Sequence, residues 1–202
     1  MPKPKFIRKR NRLPFRELYQ GGYWYFVTIC VQDKKQILSH IVEAMPSSPY
    51  LQESKTPQPQ KTIIGEYVEK AWLDGLKFYD DIILDEFVIM PNHFHAIIGF
   101  NNYKNNLGNT IKAFKKKTLF YIKQDEIICG NEIGVVGGNG AVGDVGIAST
   151  LIQKYNTIWQ KSFHDHIIRD QEDLDRIREY IFYNPLNWHL DSLNPKSKIF
   201  KK

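Results

Sequence analysis

Ile82-Ile83-Leu84-Asp85-Glu86-Phe87-Val88-Ile89-Met90-Pro91-Asn92-His93-Phe94-His95-Ala96-Ile97-Ile98-Gly99-Phe100 decides how this chain is read. Two apolar, β-branched runs flank Pro91-Asn92, a pair whose fixed φ and short polar side chain favour a bend. The pattern predicts a bend there, or a hairpin with strands over 82–90 and 93–100. Alternate side chains of a strand share a face, so His93 and His95 point one way and Phe94 the other. Two imidazoles so placed can hold one ion. Two ordinary strand histidines would read the same way, and two ligands leave a metal site incomplete, so a third group must come from elsewhere.

The 202 residues suffice for one domain with a substantial core. Lys and Arg number 28 against 22 Asp and Glu, a formal net charge of +6 that suits a polyanionic partner. Cys30 and Cys129 show no ligand spacing, which argues against a disulfide framework or a zinc ribbon and fits a reducing cytoplasm. No apolar stretch is long enough to span a bilayer, and the basic start lacks the apolar core of a secretory signal. The chain reads as soluble and cytoplasmic.

Residues 1–22 read as a basic arm in which Lys3, Lys5, Arg8, Lys9, Arg10, Arg12 and Arg16 precede the first acid, Glu17. Such arms are usually solvated tails, and their functional use is contact with backbone phosphates. Tyr23 to Val31 is aromatic and β-branched and predicts a central strand. Residues 46–61, with Pro46, Pro49, Pro57 and Pro59, read as a surface excursion. Helical spacing returns over Glu66–Tyr79 through Val68, Trp72, Leu76 and Tyr79, and again over Leu107–Lys123 through Leu107, Ile111, Phe114, Thr118 and Tyr121. Lys112, Lys116 and Lys123 share another side of the second helix, a solvated face that would line a phosphate track if it lay near a metal. Residues 130–150 are glycine-rich and read as a flexible insertion. Within them Gly138-Asn139-Gly140-Ala141-Val142-Gly143 formally matches a dinucleotide fingerprint, but Asp144-Val145-Gly146 continues the glycine pattern where a helix should start, which argues against nucleotide binding.

Towards the end, Thr157–Gln160 and Phe163–Arg169 predict one or two further strands, and His164 and His166 form a second His-x-His pair that competes for a metal. Asp170 is placed to cap a last helix whose buried stripe is Leu174, Ile177 and Ile181. Tyr180 and Asn184 are i, i+4 neighbours on its flank, in line with Asp173 and Arg176, and Pro185 ends the helix. Two histidines and one amide oxygen would hold Mg²⁺ or Mn²⁺ with positions left open, and an open position polarises a phosphodiester oxygen. A tyrosine one turn from the third ligand is placed to attack phosphorus once its proton, with an ordinary pKa of about 10, is removed. A helix tyrosine taken alone is more often a core-boundary residue.

Arg8-Lys9-Arg10-Asn11-Arg12-Leu13-Pro14, Tyr25-Phe26-Val27-Thr28-Ile29-Cys30, Leu84 to His95, Trp159-Gln160, Asp165-His166-Ile167-Ile168-Arg169 and Arg178-Glu179-Tyr180-Ile181-Phe182-Tyr183-Asn184-Pro185 resemble the REP-associated tyrosine transposases, a bacterial branch of the single-tyrosine HUH transposases. The resemblance spans most of residues 6–191 outside the Pro-rich and Gly-rich segments. It implies an α+β fold: a ferredoxin-like antiparallel sheet with helices packed on one face, the His pair on a central strand and the tyrosine on a following helix. It also implies cleavage and rejoining of single-stranded DNA beside hairpin repeats, dependent on Mg²⁺ or Mn²⁺ and passing through a 5′-phosphotyrosine. Carried onto this chain, His93 and His95 are the paired ligands and Tyr180 is the nucleophile. Asn184, the expected third ligand, stands where related compact transposases carry Gln. Arg8, Lys9, Arg10, Arg12, Lys112, Lys116, Lys123 and Arg176 are the expected DNA contacts. The expected catalytic domain is 23–191, with a basic tail over 192–202. The expected partner is hairpin-bearing single-stranded DNA, with no membrane, and the protein is a monomer or a homodimer. Two other classes fit the same residues: a non-catalytic nucleic-acid binder stacking bases on Tyr23, Trp24, Tyr25 and Phe26, and a zinc hydrolase using His93, His95 and His164 or His166.

Overall fold

The predicted hairpin is the centre of the molecule. A computed structural model describes residues 22–42, 59–102, 104–124 and 141–197. The strands are β1 (Trp24–Cys30), β2 (Ser39–Ile41), β3 (Pro59–Lys61), β4 (Ile82–Met90), β5 (His93–Phe100) and β6 (His164–Ile168). The helices are α1 (Ile63–Leu76), α2 (Leu107–Gln124), α3 (Ala141–Tyr155) and α4 (Gln171–Tyr183). The main sheet has the order β4-β5-β1-β6, and every neighbouring pair is antiparallel. With α1 and α2 as the crossovers, this is the ferredoxin-like arrangement that the resemblance implies. Sequence alternation sorts the two faces. Phe94, Ala96 and Ile98 of β5 join Trp72 of α1 and Phe114 of α2 in the larger core, whereas Ile97 joins Ile177 and Ile181 of α4 on the other side. The expected helices on one face are therefore α1, α2 and α3, and α4 covers the opposite face by itself.

Local signals account for most boundaries. The α1 N-cap is Thr62, whose hydroxyl accepts from the Gly65 amide at 3.1 Å and donates to the Ile37 carbonyl at 2.7 Å. Gly65 is needed there because a Cβ would lie 2.0 Å from the Leu38 carbonyl oxygen. Asp170 caps α4 as expected, its carboxylate accepting from the Asp173 amide at 2.8 Å. A register shift in β4 between Leu84 and Phe87 is a bulge, and beside it Asp85 accepts from Arg178 Nε at 2.9 Å. Bulges re-aim side chains, and this one ties α4 to the sheet.

Several expectations are corrected. The last residues of the Pro-rich excursion form β3, paired with β2, because an extended backbone facing Ser39–Ile41 satisfies its polar groups there. Thr157–Gln160 forms only an isolated bridge, Val31 with Trp159, in place of a strand. The latter part of the glycine-rich insertion is α3, so the reading that no helix follows the fingerprint fails. Ala148 and Leu151 are buried in the main core. Packing of that kind outweighs the helix cost of glycine, about 1 kcal/mol per residue. The fingerprint's opening glycines, Gly138 and Gly140, lie outside the described residues, as does the basic arm with Arg8, Lys9, Arg10 and Arg12. Beyond α4 the chain turns through a 3-10 segment, Trp188–Leu190, and Leu193 returns to the sheet, its carbonyl accepting from the Asn92 amide at 2.8 Å. Among the described residues no helix is long and apolar enough to cross a membrane.

Candidate active site

His93 and His95 lie in the interior, on the face of β5 that α4 covers, and their rings meet at 4.5 Å between centroids. A neighbour fixes each. Asn92 spends both amide hydrogens on the carbonyls of Lys34 and Leu193, at 3.2 and 2.8 Å, so its oxygen faces His93 Nδ1 at 2.9 Å. His93 must therefore donate from Nδ1, which leaves Nε2 with a free lone pair. His95 Nδ1 lies 2.8 Å from Thr28 Oγ1, and its Nε2 is 3.4 Å from the Tyr180 hydroxyl. Phe26 stacks on His95 with ring centroids 5.1 Å apart, and it meets the Tyr180 ring edge-on at 5.8 Å.

The structure adds Asp191, which the sequence reading missed. One carboxylate oxygen accepts from the Leu193 amide at 2.6 Å, and the other faces His93 Nε2 at 3.6 Å. The ligand atoms of His93, His95 and Asp191 all lie within 4.8 Å of one another, so this group could bind a metal. Its electrostatics fit a cation. Burial lowers the pKa of His93 well below the usual value, with His95 and Lys34 adding to the effect, and burial takes His95 to about 3. Both rings are neutral near pH 7 and able to coordinate. Burial raises the Asp191 carboxyl. His93 Nε2, the outer Asp191 oxygen and Asn184 Oδ1 are all buried without a hydrogen-bond partner. An imidazole lone pair facing a carboxylate oxygen lacks a positive charge between them, and a divalent cation would supply it.

Tyr180 stands at the mouth of this cluster, 47% exposed, so its hydroxyl can meet both the cluster and a ligand arriving from solvent. Burial and then the Asp191 charge raise the phenol pKa, and the polar Asn184 side chain pulls it down. The structure thus brings together Tyr180, His93 and His95, with the buried Asn184 one helical turn after the tyrosine.

It does not bring in the second His pair. His166 Nε2 is held by Asp173 at 2.8 Å, and His164 is exposed on the edge strand β6. Asp173 pairs also with Arg176, so that arginine borders the cleft between Phe26 and Tyr180. Lys112, Lys116 and Lys123 stand on α2, on the other side of the sheet from His95, so they do not lie beside the candidate metal group. The Asn92 anchor could have been sought in the motif itself, since it adjoins His93. Nothing in the sequence marks Asp191, which reaches the site only because the segment after α4 folds back.

No family model matches the chain. An uncharacterized protein of Haemophilus influenzae (strain Rd KW20) is 28% identical over 183 residues, which cover 87% of each chain. A crystal structure from Deinococcus radiodurans R1 aligns at 12% identity with a TM-score of 0.42, over 78% of this chain and 87% of that one. The solved structure of a REP-associated tyrosine transposase bound to a REP hairpin aligns at 17% identity with a TM-score of 0.52, over 88% of this chain and 74% of that one. At that identity the likeness is one of fold, and the chain shares the fold of that transposase.

Proposed function

We propose that this protein is a metal-dependent tyrosine transposase of the REP-associated kind, which cleaves and rejoins single-stranded DNA beside hairpin repeats. The observation that carries the reading is Tyr180, whose hydroxyl lies 3.4 Å from His95 Nε2 at the edge of the His93, His95 and Asp191 group. The shared fold with a transposase solved on a REP hairpin agrees with it.

His93 and His95 would hold the ion, with Asp191, Asn184 or both completing the set. Mg²⁺ or Mn²⁺ bound there supplies Lewis-acid polarisation of a non-bridging phosphate oxygen. The Tyr180 oxygen attacks phosphorus in line with the departing 3′ oxygen. The new P–O(Tyr180) bond replaces the P–O3′ bond, the tyrosine loses its proton, and the 3′ oxygen gains one. Attack by the 3′ hydroxyl of another strand reverses the exchange and joins DNA without an external energy source. Asn184, which lowers the phenol pKa, would stabilise the developing phenolate, and Phe26 with Thr28 keeps His95 in one orientation.

The test is incubation of the full chain with hairpin-tipped single strands and Mg²⁺ or Mn²⁺, read as covalent protein–DNA adduct on denaturing gels. Tyr180→Phe should abolish the adduct and leave DNA affinity within about two-fold, since the change removes a hydroxyl and no charge. Adduct formation by that variant would refute the assignment of the nucleophile.

A further inference from the structure

The lysines of α2 are not beside the tyrosine, yet they surround a cavity of their own. It measures about 490 Å³ and lies between α2 and the chain from Asn156 to Phe163, on the sheet face away from α4. Lys112, Lys115, Lys116 and Lys161 line it together with Thr157, and no carboxylate is in the lining. Lys115 is built into the wall: its ammonium donates to the carbonyls of Gln160 and Ser162, at 2.7 and 3.0 Å. Lys112, Lys116 and Lys161 are exposed, and among the described residues none of them has a carboxylate partner. Elsewhere in the fold Lys61, Lys77 and Lys104 each pair with an acid. The three exposed ammonium groups of Lys112, Lys116 and Lys161 around one concavity concentrate positive potential there, which attracts an anion from solvent.

We propose that this cavity is a second phosphate-binding site, which holds the backbone of the same DNA that the tyrosine face cuts. This rests on the reading of the chain as a DNA-processing protein, and it adds a separate place where affinity resides. Packed layers stand about 10 Å apart, so a strand reaching from α2 to α4 must travel on the order of 20 Å around β6. His164 is exposed on that edge and His166 lies further along it, a path that leads to the cleft beside Tyr180. Binding and cutting are then divided between the two faces, and only a substrate long enough to pass β6 gains from both at once.

The experiment measures affinity by fluorescence anisotropy over a salt series, with a hairpin-tipped strand of about 30 nucleotides and a single strand of about 5. The variant is Lys112→Gln, Lys116→Gln and Lys161→Gln together. Lys115 is left intact because it secures two carbonyls. The long strand should bind about ten-fold more weakly at low salt, and its log–log salt slope should flatten by about 2, at about 0.7 per lost contact. The short strand, which occupies one face or the other but not both, should lose less than the long one. An unchanged slope on the long strand would overturn the proposal, as would an equal loss on both strands. So would the same loss from Lys77→Gln, Lys104→Gln and Lys154→Gln, which remove equal charge elsewhere. Absence of any adduct with the wild-type chain would sink the tyrosine chemistry, whereas the salt slope decides the cavity separately.

Discussion

At the scale of single residues, the site depends on keeping two imidazoles neutral in the interior. His95 has a folded pKa of about 3 against 6.5 for the free side chain. Between those values the unfolded chain binds more protons than the folded one, so the stability gained from a neutral His95 is complete above pH 6.5 and is lost progressively as pH falls towards 3. His93 shifts in the same direction and adds to the effect. With metal removed by chelation, the unfolding midpoint should fall by several degrees between pH 7 and pH 5, since His95 alone contributes on the order of 2 kcal/mol at the lower pH. His95→Asn should flatten that part of the profile. A wild-type midpoint that does not move across this range would show the imidazoles to be solvated. The histidines were legible in the sequence because strand periodicity alone puts both on one face; Asn92 was visible beside them, but the direction of its amide depends on where Lys34 and Leu193 come to lie.

At the scale of elements, two glycines separate packing from propensity. Gly99 lies under Trp24, and a Cβ there would sit 2.7 Å from the indole ring. Gly99→Ala should lower stability by about 1–3 kcal/mol, because the indole and the strand must shift apart. Gly146 is within α3, where a Cβ would meet nothing within 4 Å. Gly146→Ala should raise stability by about 0.5–1 kcal/mol through helix propensity and reduced freedom of the unfolded chain. Urea denaturation of both variants checks the pair, and destabilisation by Gly146→Ala would mean that α3 does not persist in solution. The ends of α4 could be read directly, since apolar period, cap and proline agree there, and α2 could be read from its apolar period alone. The failure at α3 has a specific cause. Glycines weaken the local signal, and the helix exists because Ala148 and Leu151 find a core that only the folded chain supplies.

At the scale of the whole molecule, the proposed metal couples the sheet to the segment that follows α4. A ligand that binds only the folded chain stabilises it by about 2.7 kcal/mol at 100 times its dissociation constant, which for a chain of this size is roughly 5–10 °C in the unfolding midpoint. Mn²⁺ should therefore raise the midpoint of the wild-type protein. Asp191→Ala should increase the Mn²⁺ concentration needed by about ten-fold or more, and Asn184→Ala measures whether the amide oxygen also ligates. No Mn²⁺-dependent shift in the wild type would remove the metal centre from the mechanism.

The sequence by itself determined the two extended runs that meet at Pro91-Asn92, the shared face of His93 and His95, the helix that carries Tyr180, and a basic excess suited to a polyanion. Each follows from short-range rules: period two in a strand, period 3.6 in a helix, proline and capping residues at the ends. Only the tertiary structure decided that α4 crosses to the face of the sheet opposite α1–α3, that Asp191 closes on His93, and that the α2 lysines gather with Lys161 around a separate cavity. The last two depend on residues far apart in the chain, such as His93 and Asp191 or Lys116 and Lys161, being brought to one place. Local pattern carries no information about such contacts, because they are set by which faces of the assembled layers remain to be buried.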